Sequence, residues 1–261
     1  MARLLATVAL LALLDCRPRA DEAAAADAGP PPPASAPAPA ASALAPLGGE
    51  WLVRLSLPGF GDAVVSVPLG ATSPRLVVVA LHGRNDRPEW ACGEWRGLCP
   101  HGVPVDAPPG RGLAFGDAAA TRRELDAGLA ALRARFGPWI AEGPRVLAGF
   151  SLGAILGARL VAEDAARFPV AVLGEGGQAQ WTPARAASFA RGGGRRVLFV
   201  CSTGACEQET AAAQRILERE GVATRLVSAG HVGHLVDDRV VAVARAAWPW
   251  VTEGLPTTKG P

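Results

Sequence analysis

The sequence predicts an α/β protein with a mostly parallel sheet of about eight strands and helices on both faces. Apolar runs of strand length, such as residues 76–81, are typical of strands that are buried on both faces of a sheet. In the second half of the chain these runs alternate with segments of helical periodicity, which is the pattern of strand–helix–strand units. Residues 146–157 predict a strand, a tight turn at Ser151 and a helix in immediate succession.

Length and composition indicate one folded domain. The chain has 261 residues, of which 49% are apolar, enough to bury a full core. The formal net charge is +2, and the Lys and Arg residues are scattered without a basic block or an aromatic ladder. Nucleic acid is therefore not an expected partner.

Residues 1–16 predict an export signal, because Arg3 is followed by an apolar stretch at residues 4–14. This stretch is too short to span a bilayer as a helix. Cys16 follows Leu-Leu-Asp and resembles the lipidated cysteine of a bacterial lipoprotein, although Asp15 departs from the small residue expected there. A lipidated Cys16 would tether the protein to a membrane. The alternative is cleavage nearby and a free soluble product.

The segment after the signal predicts a spacer. Residues 17–48 are nearly all Ala, Pro, Ser and Asp, a composition that buries nothing and favours an extended, semi-rigid linker. We therefore expect the folded domain at residues 49–254 and a flexible tail at 255–261.

The remaining four cysteines predict two disulfides in an oxidising compartment. Closeness in sequence favours the pairs Cys92–Cys99 and Cys201–Cys206, and the alternative is buried free thiols. Neither pair has the C-x-x-C spacing of a zinc ribbon.

Local patterns predict the individual elements in chain order. Residues 51–57 and 63–69 alternate like two strands of a hairpin, and the apolar run at 76–81 follows them. A short helix (88–96), a weaker strand (99–105) and a helix that ends at Gly137 precede the elbow strand and its helix, which runs to about residue 166. The later elements are strands at 170–173, 197–201 and 224–228, with helices at 182–191, 207–220 and 237–251.

Ser151 is the first candidate for chemistry, since it stands alone between Gly149 and Gly153. A sharp strand-to-helix turn lifts a serine hydroxyl clear of the sheet, above the positive end of the helix. The alternative is a serine that merely caps the helix between two packing glycines.

Three motifs then occur in order: Leu-His-Gly at residues 81–83, Gly-Phe-Ser-Leu-Gly at 149–153 and Gly-His at 233–234. On these motifs, residues 51–250 resemble the α/β-hydrolase superfamily, in particular compact secreted or lipoprotein-like bacterial members related to dienelactone hydrolases and small esterases. The resemblance implies that fold, and a serine hydrolase that cleaves an ester or related acyl bond through an acyl-enzyme. It implies no metal or organic cofactor.

The stretches between the later strands are too short for a large cap domain, which predicts an open site. An uncapped site would take a small-molecule ester or the exposed end of a polymer, and the same machinery would serve peptide or lactone bonds.

The resemblance assigns roles to individual residues. Ser151 would be the nucleophile, His234 its base, and the backbone amides of Leu152 and Arg84 the oxyanion hole. His231 is an alternative base, because it also follows a glycine, three residues earlier in the chain. His234 is favoured because a helix starts just after it. The two histidines with Asp237 or Asp238 would alternatively be metal ligands, although no further ligand cluster is visible.

The catalytic acid departs from the superfamily pattern. Most members carry an aspartate after the strand that is here 197–201, but the matching position holds Ala205 or Cys206. Glu175, between glycines after the preceding strand, and Glu207, one step late, are the two candidates. Glu175 is favoured, because some lipases place their acid after that strand. Glu207 has a simpler explanation, since the helix dipole alone favours an acidic residue in the first turn of a helix.

The unsettled acid leaves a second interpretation open. If neither carboxylate reaches His234, the site would be a Ser-His pair with low activity. The chain would then be a catalytically weak or inactive α/β-hydrolase-fold binding module of the cell envelope. The three intact motifs argue against this interpretation.

Overall fold

The structure, a computed structural model, describes residues 43–95, 97–104 and 112–256. The predicted signal, Cys16 and most of the predicted spacer lie outside the described residues. Contacts with the domain reach back into the spacer's last residues, because the backbone N–H groups of Leu44 and Leu47 donate to the carbonyls of Thr72 and Ala71. Leu47 is buried, and so is Leu255 in the predicted tail.

Ten strands are present among the described residues. They are β1 (Leu52–Leu55), β2 (Ala63–Ser66), β3 (Val78–Leu81), β4 (Leu98–Cys99), β5 (Val103–Pro104), β6 (Leu113–Ala114), β7 (Val146–Phe150), β8 (Val170–Gly174), β9 (Arg196–Cys201) and β10 (Ala223–Ser228). Eight of them form one sheet in the order β1-β2-β4-β3-β7-β8-β9-β10. The pairs β1–β2 and β2–β4 are antiparallel, and every pair from β4 to β10 is parallel. The predicted fold class is confirmed.

Helices cover both faces of this sheet. They are α1 (Pro88–Trp95), α2 (Ala118–Phe136), α3 (Leu152–Glu163), α4 (Pro183–Arg191), α5 (Gly204–Arg219) and α6 (Asp238–Thr252), with short 3-10 helices at Gly137–Trp139 and Gln178–Gln180. None of the described helices is long and apolar enough to cross a membrane.

The central strands are buried on both sides because their side chains alternate between two core layers. Val79, Leu147 and Phe199 pack in the layer that α2, α3, α4 and α5 cover. Their neighbours along the strands, such as Val146 and Leu198, pack in the layer that α1 and α6 cover. A period of two within continuous apolar strands accounts for this arrangement.

The predicted strand at 99–105 is wrong as a single element. β4 ends at Cys99, and β5 belongs to a separate ribbon with β6. Gly102 lies between them with φ +79°, and its N–H donates to the buried carboxylate of Glu124 at 2.8 Å. The backbone therefore leaves the sheet at this point.

Helix ends also differ from the prediction. α5 begins at Gly204, three residues before the predicted start, because the Thr203 hydroxyl caps it by accepting from the Cys206 N–H. α3 ends at Glu163, about three residues before its predicted end.

The described residues form two disulfides, with the pairing that the sequence spacing favours. Cys92–Cys99 joins α1 to β4, and Cys201–Cys206 joins the end of β9 to the first turn of α5. All four cysteines are buried. The disulfides are compatible with an exported protein.

Candidate active site

Ser151 occupies the sharp turn between β7 and α3. Its backbone has φ 52° and ψ −115°, a conformation that side-chain-bearing residues rarely adopt. The Ser151 N–H donates to the Gly174 carbonyl at 2.8 Å, and its carbonyl accepts from the Ile155 N–H at 3.0 Å. The turn is therefore anchored to β8 on one side and to its own helix on the other.

Two glycines allow this turn to pack closely. A Cβ at Gly149 would overlap the carbonyl oxygen of Gly153, and a Cβ at Gly153 would overlap the carbonyl oxygen of Leu81. The start of α3 thus lies directly against the end of β3, which only glycine permits.

His234 lies on the connection between β10 and α6. Its Nε2 atom is 2.9 Å from the Ser151 hydroxyl oxygen, and its ring packs on Phe150 with the ring centroids 5.2 Å apart. The preceding residue, Gly233, is fixed because its carbonyl accepts from the Ser202 hydroxyl at 2.7 Å and its N–H donates to the Ser202 carbonyl at 3.1 Å. The His234 side chain is 54% exposed, so the pair is open to solvent.

Glu175 follows β8 and faces the other nitrogen of the same ring. Its Oε2 atom lies 3.3 Å from Nδ1 of His234, and its side chain is only 3% exposed. Oε1 accepts from the backbone N–H groups of Ser202 and Thr203, at 2.5 and 3.0 Å. Oε2 also accepts from the Thr203 hydroxyl at 2.9 Å. These three hydrogen bonds fix the orientation of the carboxylate beside the ring.

The alternative acid and base lie near each other and not beside Ser151. Glu207 accepts from the Ser228 hydroxyl at 2.5 Å, and its second oxygen lies 3.8 Å from Nε2 of His231. The His231 side chain is 71% exposed. Of the alternatives that the sequence left open, the structure brings Ser151, His234 and Glu175 together.

The amides of Leu152 and Arg84 are the expected oxyanion donors. Leu152 is the first residue of α3, so its N–H has no acceptor within the helix. Neither amide donates to an acceptor in the part of the chain that the structure describes. A Cβ built on Gly83 would be 3.5 Å from the Cβ of Ser151, which puts the turn after β3 beside the serine. Asp86 stabilises this turn by accepting from the Gly83 N–H at 3.4 Å.

A cavity of about 290 Å³ adjoins His234 and Glu175. Its wall includes Ile155 from α3, Gln178, and Glu209 from α5. A larger cavity of about 890 Å³ is lined by residues such as Val77 and Trp139, which precede β3 and β7 in sequence. It therefore lies at the amino ends of these strands, away from Ser151, whereas the smaller cavity adjoins the candidate site.

The described residues bring potential metal ligands together at one place. Among the described residues, one set of suitable side chains converges, namely Glu175 with Cys201 and Cys206. Both sulfurs belong to a disulfide and are not thiolate ligands. Asp237 caps α6: the Val240 N–H and then the Arg239 side chain hold the pKa of its carboxyl below the ordinary value of 3.8.

Sequence reasoning missed Ser202 and Thr203, which donate to Glu175. A signal was available, because serine and threonine between a predicted parallel strand and a predicted helix are typical helix caps. A polar residue in that place also lies at the carboxyl edge of the sheet, where the other candidate residues meet.

Comparison with known proteins bears on the fold. No protein-family model matches the sequence, and no curated protein matches it. The esterase PE8 is similar in structure, with 18% sequence identity and a TM-score of 0.53, covering 76% of this chain and all of that one. The fluorophosphonate-binding serine hydrolase FphF of Staphylococcus aureus is similar over 77% of this chain and 96% of its own, with 12% identity and a TM-score of 0.51. With the sheet order described above, these likenesses show that the chain has the α/β-hydrolase fold.

Proposed function

We propose that the protein is a serine hydrolase that cleaves a carboxylic ester or a related acyl bond through an acyl-enzyme on Ser151. One observation carries the proposal: the imidazole of His234 lies within hydrogen-bond distance of both the Ser151 hydroxyl, at 2.9 Å, and the Glu175 carboxylate, at 3.3 Å. A hydroxyl, a base and a carboxylate that are hydrogen-bonded in this order are the groups that activate a serine nucleophile.

In the acylation half of the reaction, Ser151 Oγ attacks the carbonyl carbon of the substrate while Nε2 of His234 takes the hydroxyl proton. The oxygen of the tetrahedral intermediate becomes negative, and the amides of Leu152 and Arg84 donate to it. Glu175 accepts from Nδ1–H and stabilises the imidazolium. Nε2–H then gives its proton to the leaving alcohol, and the acyl group stays on Ser151.

In the deacylation half, His234 takes a proton from water, which attacks the acyl carbon. The second tetrahedral intermediate collapses and returns the proton to Ser151 Oγ, so the free acid leaves and the enzyme is regenerated.

Access to the site supports a substrate class. His234 is half exposed, and the cavity beside it is small at about 290 Å³. These features favour small esters or the accessible end of a polymer as the substrate. The two disulfides and the predicted signal support action outside the cytoplasm, with lipidated Cys16 as a membrane tether.

The test is labelling of the purified protein with a fluorophosphonate probe, which reacts only with an activated serine. We expect labelling of the wild type, and none of Ser151→Ala or His234→Ala. His231→Ala is the matched control, since this histidine lies in the same connection but contacts Glu207, and it should label at the wild-type rate.

Two outcomes would overturn the proposal. Labelling that persists in Ser151→Ala would assign the reactivity to another residue. A well-folded wild type that does not label would instead favour the non-catalytic binding module.

A further inference from the structure

Thr203 touches the candidate site without facing the substrate. Its hydroxyl donates to Glu175 Oε2 at 2.9 Å and accepts from the Cys206 N–H at 3.3 Å. We infer that Thr203 is a positioning residue, which turns the Glu175 carboxylate toward His234. The inference rests on the proposed function and extends it to a residue outside the three reacting side chains.

The two oxygens of Glu175 have different partners. Oε1 is fixed by the backbone N–H groups of Ser202 and Thr203, at 2.5 and 3.0 Å. Oε2 meets the Thr203 hydroxyl at 2.9 Å and Nδ1 of His234 at 3.3 Å. The hydroxyl therefore makes the shorter contact with the oxygen that serves the base. Without it, the ring would be the remaining partner of this oxygen among the described residues.

The direction of the Thr203 hydroxyl is itself determined. A threonine hydroxyl has one hydrogen to donate, and here its oxygen already accepts from the Cys206 N–H at the start of α5. The hydrogen is left for the carboxylate of Glu175, which has no hydrogen of its own when ionised.

The segment that carries Thr203 is constrained at both ends. Cys201 and Cys206 form a disulfide across it. Gln178 donates from Nε2 to the sulfur of Cys206 at 3.0 Å. Because β9 ends at Cys201 and α5 begins at Gly204, Thr203 has little freedom to move away from Glu175.

The test compares three variants of the full-length protein. Thr203→Val keeps the shape but removes the hydroxyl, and Thr203→Ser restores it. Thr182→Val is the matched control, because Thr182 caps α4 in the same way, accepting from the Arg185 N–H at 3.2 Å, and makes no described contact with Glu175. If Thr203→Val does not fold, Thr203→Ala takes its place.

We expect Thr203→Val to label with the fluorophosphonate about tenfold more slowly than the wild type, as the loss of a hydrogen bond to a charged group predicts. With p-nitrophenyl acetate, kcat should fall while KM is unchanged. Thr203→Ser should recover most of the rate. Thr182→Val and Thr203→Val should lower the melting temperature by similar amounts, since each removes a helix cap. Thr182→Val should nevertheless leave the labelling rate unchanged.

A second readout does not depend on turnover. The proton on Nδ1 of His234 should resonate far downfield in the wild-type NMR spectrum, because it is bonded to a carboxylate. In Thr203→Val this resonance should move upfield or exchange away, and in Thr182→Val it should remain. If the wild type does not label, the proposed function fails, but this resonance still decides the role of Thr203. Equal labelling rates and equal resonances in Thr203→Val and Thr182→Val would overturn the inference.

Discussion

Nδ1 of His234 lies 3.3 Å from Oε2 of Glu175, although 59 positions separate the two residues in the chain. Glu175 follows β8 and His234 follows β10, so the contact passes across the end of β9. The connection after β9, where the superfamily pattern predicts an acid, instead supplies the donors of Ser202 and Thr203. The acid and the groups that support it thus come from neighbouring strands.

Glu175→Gln should lower the labelling rate and the kcat for p-nitrophenyl acetate on the order of a thousandfold or more, because a neutral amide does not stabilise the imidazolium. The control is Glu207→Gln, since Glu207 contacts Ser228 and His231 on the surface. This control should keep the wild-type rate. If Glu207→Gln labels more slowly and Glu175→Gln labels at the wild-type rate, Glu207 is the catalytic acid and Glu175 is not.

Ser151→Gly should be more stable than Ser151→Ala by about 1 kcal/mol, although both lack the nucleophile. With φ 52° and ψ −115°, Ser151 occupies the mirror image of an ordinary extended conformation, which glycine adopts without strain. Urea unfolding of the two variants measures the difference. Equal midpoints would mean that the turn stores no strain.

Removal of either disulfide should lower the stability of the protein, but removal of only one of them should slow its reaction. Replacing either pair with alanines should cost about 2 kcal/mol, as expected for the short loops that they close. Only Cys201→Ala/Cys206→Ala should also slow fluorophosphonate labelling, because this pair closes the segment that carries Thr203. Cys92→Ala/Cys99→Ala is the control, because the disulfide that it removes joins α1 to β4 and no element that carries a proposed catalytic side chain. Equal labelling by the two double variants would disprove the link.

Asp237→Asn should change how stability depends on pH. The pKa of Asp237 is lowered in the folded protein, chiefly by the N–H of Val240, so its charge contributes stability that is complete above the ordinary value of 3.8. This contribution falls as the pH drops through that value and is lost below the lower folded-state pKa. Asparagine still caps the helix but carries no charge. Melting temperatures from pH 7 downward should therefore converge for the two proteins, and a constant difference would contradict the assignment.

The long buried strands could be predicted from the sequence because each one carries its own evidence. β3, β7 and β8 are continuous apolar runs, and β9 is one after its first residue, Arg196. A glycine ends β8, and a polar residue follows each of the other three strands. β4, β5 and β6 have two residues each, too few for any periodicity. Their place depends on pairing with distant chain segments, as when Val64 meets Cys99, and local sequence does not encode this.

The candidate site was predictable to a similar extent. The order of Ser151 and His234 follows from motifs next to strand ends. The choice between Glu175 and Glu207 does not follow from the sequence, since both residues come after parallel strands at the same edge of the sheet. Tertiary distances decide it: Glu175 lies 3.3 Å from Nδ1 of His234, whereas Glu207 lies in the first turn of α5 and accepts from the Ser228 hydroxyl.

The hydrogen bond between Ser151 and His234 closes a stretch of 83 residues, and β8 and β9 pair in the sheet between the strands that carry them. The proposed nucleophile therefore meets its proposed base only after four parallel strands have assembled, a non-local arrangement of the kind that forms slowly. If Ser151 is the nucleophile that we propose, a nascent or partly unfolded chain would leave it unactivated, and reactivity toward a fluorophosphonate would report the completion of folding.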